Sequence, residues 1–85
     1  MAIILRANGK RDDIKPQNGT KLSLEQLQKV VGGYIEIIPA PNCHNILIAN
    51  EEGQIYNLPI NVQASKIAQK TIVGDIVLCL QSEIQ

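Results

Sequence analysis

Short apolar segments alternate along the chain with polar breaks that contain glycine, asparagine or proline, and this pattern predicts strands joined by turns. The first apolar segment is Ala2–Ala7, and the Asn8-Gly9 pair after it is a strong hairpin signal because both residues adopt positive φ readily. The second arm of the hairpin is Arg11–Lys15, which is polar apart from Ile14. Such a strand suits an exposed edge of a sheet. Pro16 then begins a loop.

The clearest helix signal covers residues 24–31. Ser23 precedes this segment as a cap, and Gln26 follows three residues later, as a capping box requires. Gly32-Gly33 supplies the left-handed residue at which many helices end. The predicted hydrophobic staple consists of Leu22 and Leu27, and the predicted apolar stripe consists of Leu24, Leu27 and Val31.

The middle of the chain predicts an antiparallel meander of three strands. The first strand is Tyr34–Ile38, which ends at Pro39, and the second is Asn45–Ala49. Gln54–Tyr56 is the expected third strand. The turn before it is Asn50–Gly53, in which we expect the glycine to adopt a positive φ.

The last third of the chain predicts a second helix and a buried strand. Asn61 is the candidate cap of this helix. Its apolar stripe consists of Ala64, Ile67 and Ala68. After a break at Gly74-Asp75, the uninterrupted apolar run Ile76–Leu80 is typical of a central strand that is covered on both faces. The tail Gln81–Gln85 is expected to fray.

Together these segments predict an α+β fold, in which a small antiparallel or mixed sheet of about five strands carries two short helices packed on it. The whole chain, residues 1–85, is expected to form a single domain.

Composition narrows the classes of function. The chain contains 45% hydrophobic residues but no Trp or Phe, so its core is thin and aliphatic. A second copy often completes such a core, and we therefore expect a homo-oligomer. Eight basic and eight acidic residues balance each other, which argues against binding to duplex nucleic acid or to an anionic membrane. The apolar run Met1–Leu5 is too short for a signal peptide or a membrane-spanning helix.

Reactive side chains are few. Cys43 and Cys79 lack the spacing of a metal-binding pair, and His44 is the single histidine. Because a thiolate nucleophile needs an adjacent base and zinc needs several ligands, we expect neither catalysis nor a bound metal or cofactor. The favoured interpretation is one loop thiol and one core thiol in a reducing compartment, although the sequence leaves a disulfide open.

Several polar residues are instead candidates for holding a ligand. Tyr34 and Glu36 share a strand face, and a ring beside a carboxylate suits a nucleoside, although core packing is the simpler use of the tyrosine. Asn61 begins a helix whose dipole favours an anion, although capping alone accounts for this residue. An exposed backbone N–H at Gly74 could meet a phosphate, although turn chemistry also explains this glycine. The predicted ligand-binding residues are Tyr34, Glu36, Asn50, Glu51, Asn61, Ser65, Lys66 and Gly74.

Five blocks of sequence carry a family resemblance. They are SLEQLQ, VGGYIEIIP, ILIANEEG, LPINVQAS and IVGDIVL, in this order. Together they resemble a family of small proteins of unknown function from bacteriophages and other mobile elements. The resemblance implies a phage accessory protein that acts in the cytoplasm of the host bacterium. Phages direct many proteins of this size against host defence, and one recurrent strategy sequesters a nucleotide-derived immune signal between subunits.

Three functional hypotheses follow. The leading one is a homo-oligomeric, non-enzymatic binder that sequesters a small nucleotide-like signal through the eight residues named above. The second is a protein-interaction module that inhibits a host protein by lending a sheet edge or an apolar patch. The third and least favoured is a small hydrolase of the same signals, which would depend on Glu36, Glu51 or His44.

Overall fold

The structure is a computed structural model that describes residues 2–17, 19–41 and 43–84. These residues form one five-stranded antiparallel sheet, two α-helices and a short 3-10 helix, which confirms the expected α+β fold. The elements in chain order are β1 (Ala2–Leu5), β2 (Arg11–Ile14), α1 (Leu24–Val31), β3 (Ile35–Pro39), β4 (Asn45–Asn50), α2 (Val62–Ala68), β5 (Ile76–Leu80) and the 3-10 helix (Gln81–Glu83). The order of the strands across the sheet is β2-β1-β5-β4-β3.

The two α-helices cover opposite faces of the sheet. On one face, Leu27 and Val31 of α1 pack against β1, β4 and β5. On the other face, Ala64 and Ala68 of α2 pack against the same three strands and β3. The central strand β5 supplies side chains to both cores, and its residue Val77 is fully buried. The prediction of a central strand covered on both faces is therefore confirmed.

Helix α1 begins as predicted, with both hydrogen bonds of the capping box present between Ser23 and Gln26. The predicted apolar stripe is wrong at Leu24, whose side chain is 53% exposed. Gln26 of the same helix is buried instead, because its side chain forms hydrogen bonds with the backbone of the preceding loop. Its Nε2 donates to the Lys15 carbonyl at 2.8 Å, and its Oε1 accepts from the Gln17 N–H at 3.3 Å.

The segment that ends at Ile84 packs against the core, so the prediction that the tail frays is wrong for residues 81–84. The Leu22 N–H donates to the Glu83 carbonyl at 2.7 Å, and Ile84 is buried in the core on the α1 face. Burial of this isoleucine offsets the entropy that ordering the segment costs. Gln85, the last residue of the predicted tail, lies outside the described residues.

The prediction of a third meander strand at Gln54–Tyr56 is wrong, because residues 51–57 form consecutive turns. Ile55 and Tyr56 are 74% and 60% exposed, so no burial of apolar side chains favours pairing of this segment with β4. The prediction of a positive φ at Gly53 is also wrong. A side chain is excluded at Gly53 for a steric reason, since its Cβ would lie 2.7 Å from Cγ2 of Val73.

Candidate functional site

A groove of about 530 Å³ lies on the α2 face at the outer end of the sheet. It is lined by β3, by the end of β4, by the loop after β4 and by residues 70–73 after α2. Glu36 of β3 reaches the groove beside its cross-strand partner Ala49. The volume falls within the range of small-molecule and side-chain binding pockets.

The charged residues that line this groove, in the part of the chain that the structure describes, are Glu36, Glu51, Glu52 and Lys70. We call it the acidic groove. No described protein group forms a hydrogen bond or ion pair with the carboxylates of Glu36, Glu51 and Glu52. These carboxylates are therefore available to accept hydrogen bonds from a ligand.

Strand β3 has β4 as its single partner among the described strands, so its other side is an edge of the sheet. Two hydrogen bonds at the ends of the β3–β4 ladder show which backbone groups point towards β4. The Glu51 N–H donates to the Tyr34 carbonyl at 2.9 Å, and the Ala40 N–H donates to the Asn45 carbonyl at 3.1 Å. Because bonded and non-bonded pairs alternate in an antiparallel ladder, the intervening even-numbered residues of β3 also bond to β4.

The N–H and C=O groups of Ile35 and Ile37 therefore point away from β4. We call these four groups the open edge. Pro39 occupies the next outward position, and because proline lacks an N–H it limits how far a strand could pair along this side. The open edge thus offers two donors and two acceptors in a short stretch of extended backbone.

The opposite edge of the sheet, at β2, has a different character. The Arg6 N–H donates to the Lys10 carbonyl at 2.9 Å, and this pairing directs the backbone groups of Arg11 and Asp13 outward. Both residues are charged, and the Arg11 guanidinium donates to Oε1 of Gln63 on α2 at 2.7 Å. Charged side chains are one way in which proteins protect a sheet edge from pairing.

A family model described as "Domain of unknown function (DUF3846)" matches residues 1–84. The chain belongs to the DUF3846 family. No curated protein and no solved structure matches it. The family description names neither an activity nor a source organism, so the expected bacteriophage origin stays a prediction. None of the helices that the structure describes is long and apolar enough to cross a membrane.

Three of the eight predicted ligand-binding residues meet in the acidic groove of this DUF3846 domain, namely Glu36, Asn50 and Glu51. The Asn50 amide is already engaged within the protein. Its Nδ2 donates to the Val31 carbonyl at 3.0 Å, and its Oδ1 accepts from the Glu52 N–H at 2.8 Å. Asn50 therefore fixes the loop that carries the two glutamates, whereas the glutamates themselves are available to a ligand.

Four other predicted residues lie elsewhere in the DUF3846 domain. The Asn61 amide is fully buried, where its Nδ2 donates to the carbonyls of Leu5 and Gly74, each at 2.8 Å. The Ser65 hydroxyl bonds with the backbone N–H and carbonyl of Ile72. The Gly74 N–H donates to the Pro59 carbonyl, so the phosphate contact considered for it has no donor available. Lys66 is exposed on α2 and does not line the acidic groove.

Tyr34 lies outside the acidic groove, in an adjoining depression of about 280 Å³. Tyr56 lines the same depression, and Glu52 lines both cavities. Sequence reasoning did not include Glu52, Tyr56 or Lys70 in the site. The exposed Tyr56 could have been recognised from the polar turn around it, but nothing in the sequence places Lys70 beside the loop.

The two cysteines are unpaired, with Cys43 exposed and Cys79 buried, which confirms one loop thiol and one core thiol. Burial and, to a smaller extent, the nearby Glu83 carboxylate together raise the pKa of the Cys79 thiol to about 11. A thiol held in its protonated form is a poor nucleophile. The residues that the structure describes contain no cluster of three metal-ligating side chains.

Proposed function

We propose that this DUF3846 domain is a protein-interaction module that binds an extended segment of a partner protein along the open edge of β3. The contrast between the two sheet edges supports the proposal most directly. The outward-facing residues of the β2 edge are the charged Arg11 and Asp13, whereas those of the β3 edge are two isoleucines. Addition of a strand would satisfy all four groups of the open edge, which is a recurrent mode of peptide recognition.

Exposed apolar side chains beside the open edge also support this function. Tyr34, immediately before β3, is 67% exposed, Ile37 within β3 is 45% exposed, and Ile55 in the acidic groove is 74% exposed. Such side chains supply the apolar contact area that a protein interface requires. By the resemblance to bacteriophage proteins, the proposed partner is a host protein in the bacterial cytoplasm, which the bound domain inhibits.

Selection from a random library of displayed peptides, each about 12 residues long, tests this function. The protein is immobilised as the wild type, as Ile37→Pro and as Ile37→Val. Proline at position 37 removes an outward N–H and leaves the ladder with β4 complete. Valine preserves the donor and is therefore the matched control.

We expect the wild type and Ile37→Val to enrich peptides with alternating apolar residues, and these peptides to bind Ile37→Pro at least about ten-fold more weakly. A circular dichroism spectrum and melting curve establish that Ile37→Pro is folded. The proposal is overturned if no peptide is enriched, or if the enriched peptides bind folded Ile37→Pro as tightly as they bind the wild type.

Sequestration of a nucleotide-like molecule by a homo-oligomer is the second candidate function. One specific observation favours it. The depression between Tyr34 and Tyr56 adjoins the acidic groove, since Glu52 lines both. The rings could stack on a base, and the carboxylates could accept hydrogen bonds from ribose hydroxyls. The phosphates fit less well, since three glutamates and a single described lysine line the groove.

Calorimetric titration with cyclic dinucleotides and ADP-ribose derivatives tests the second candidate. It predicts micromolar binding that Tyr56→Ala weakens, whereas a control substitution at the exposed residue Glu25, which lines neither cavity, has no effect. An absence of heat with every nucleotide would leave strand addition as the sole candidate.

A further inference from the structure

Glu36 occupies the position on β3 at which an added antiparallel strand would come closest. Its backbone groups bond to Ala49 of β4, so it lies between the outward-facing residues Ile35 and Ile37. A residue of an added strand opposite Glu36 would form a non-hydrogen-bonded pair with it. In such pairs the Cβ atoms are about 4.5 to 5.5 Å apart, and both side chains lie on the same face of the sheet.

The side chain of this opposing residue would therefore project at the mouth of the acidic groove. Glu36, Glu51 and Glu52 line the groove with one described cation, Lys70, among them. An acidic residue at the opposing position would be repelled, and a short neutral residue would leave the carboxylates unpaired. A lysine or arginine can lay its aliphatic stem along exposed Ile55 and direct its cationic head to the carboxylates.

We infer that the partner of this domain is a protein segment that carries a lysine or arginine opposite Glu36, so that the acidic groove selects basic extended segments. The inference rests on the proposed strand addition at the open edge. The backbone of β3 would supply affinity, and the groove would supply the choice of partner.

The same glutamate disfavours a second copy of the chain as the occupant. If two copies pair antiparallel so that all four groups of both open edges are bonded, Glu36 of one copy lies directly opposite Glu36 of the other. Like charges at this spacing destabilise the pair. A shift to the next register places Pro39 opposite Ile35 and leaves the Ile35 carbonyl without a donor. The opposite shift places Gly33 opposite Ile37 and leaves the Ile37 carbonyl without a donor, because the Gly33 N–H already donates to the Gln28 carbonyl. The homo-oligomer expected from the sequence would therefore need another surface.

Deep sequencing of the peptides enriched on four forms of the protein tests this inference. The forms are the wild type, Glu36→Gln, Ile37→Pro and the control Glu25→Gln, whose carboxylate lies on α1. We expect one lysine or arginine per peptide at a fixed place within the apolar alternation, on the wild type and on Glu25→Gln. This preference should fall at least about three-fold on Glu36→Gln, the size expected for a partly exposed ion pair.

A matched pair of synthetic peptides then measures the interaction directly. One is the most enriched sequence, and the other has glutamine in place of its basic residue. At low ionic strength we expect Glu36→Gln to weaken binding of the basic peptide about three- to ten-fold, and to leave binding of the glutamine peptide unchanged.

Equal frequencies of basic residues on wild type and Glu36→Gln, together with loss of binding on folded Ile37→Pro, would overturn the inference and leave strand addition intact. If the peptides instead bind folded Ile37→Pro as tightly as they bind the wild type, strand addition itself is overturned.

Discussion

Asn61 is a fully buried polar residue on the α2 side of the fold. It caps α2 through the Ala64 N–H and bonds through Nδ2 to the carbonyls of Leu5 and Gly74, so it joins the helix to β1 and to the turn before β5. Because the side chain is fully buried, its removal leaves a cavity lined by these three backbone groups.

We predict that Asn61→Ala lowers the free energy of unfolding by about 2 to 4 kcal/mol, the sum expected for a lost cap and two lost hydrogen bonds to backbone carbonyls. Urea denaturation measures this change. The exposed Gln54→Ala should alter stability by less than about 0.5 kcal/mol and serves as the control. A loss below about 1 kcal/mol for Asn61→Ala would contradict the assigned role.

Gly53 lies in the loop after β4, close to Val73 in the segment after α2. Its φ is outside the left-handed region, so the cost of Gly53→Ala arises from the 2.7 Å contact with Val73. We predict a loss of about 1 to 3 kcal/mol, part of which Val73→Ala in the same chain restores. Gly74→Ala has a φ of +80° at the substituted position, so Val73→Ala should not restore its stability. Equal coupling in both double variants would contradict this explanation.

The two thiols should differ in reactivity and in their effect on stability. Exposed Cys43 should react at once with a thiol reagent, and buried Cys79 only after unfolding. The pKa of Cys79 is about 11 in the folded protein and about 9 when unfolded, so its contribution to stability is complete below pH 9 and is lost as the pH rises from 9 to 11.

Unfolding measured between pH 8 and 11 should therefore show a steeper decline for the wild type than for Cys79→Ala. Parallel pH profiles would show that Cys79 ionises alike in both states.

At the scale of elements, the alternation of backbone groups along β3 predicts losses of stability of different size for proline substitutions at two neighbouring positions. Glu36→Pro removes an N–H that bonds to β4, whereas Ile37→Pro removes an N–H of the open edge. We predict that Glu36→Pro costs about 2 to 4 kcal/mol of stability and Ile37→Pro at least about 1 kcal/mol less. Thermal and urea unfolding of both variants measures the difference. A larger loss for Ile37→Pro would mean that the outward direction of its N–H is wrongly assigned.

Elements with a local chemical signal were predictable from the sequence. The capping box at Ser23, the Asn8-Gly9 turn and the apolar run Ile76–Leu80 each produce the expected element. Gln54–Tyr56 carries β-forming side chains, but in the fold they face solvent, and a strand is stabilised chiefly by what its side chains pack against.

The candidate site was predictable only in part, for a related reason. Glu36 and Glu51 are exposed polar residues whose closeness follows from the pairing of β3 with β4. Asn61 and Ser65 also look like ligand-binding residues in the sequence, yet their partners are backbone groups distant along the chain. A sequence does not show whether a polar side chain is satisfied from within, because this depends on the tertiary contacts.

At the scale of the whole molecule, the thin core is completed on both faces of the sheet by the two helices and the C-terminal segment. The need for a second copy, which the small size predicts, is therefore reduced, although self-association stays a prediction. By our proposal, the partner segment binds at one end of the sheet, where the open edge and the acidic groove meet.

Amide hydrogen exchange along β3, followed by NMR with and without a peptide selected on the wild type, tests strand addition most directly. In the unbound domain the N–H groups of Ile35 and Ile37 should exchange rapidly, and those of Glu36 and Ile38 slowly. Bound peptide should slow exchange at Ile35 and Ile37 at least about ten-fold, because each then donates to the added strand. Exchange at Ile35 and Ile37 that is unchanged by saturating peptide would contradict the account.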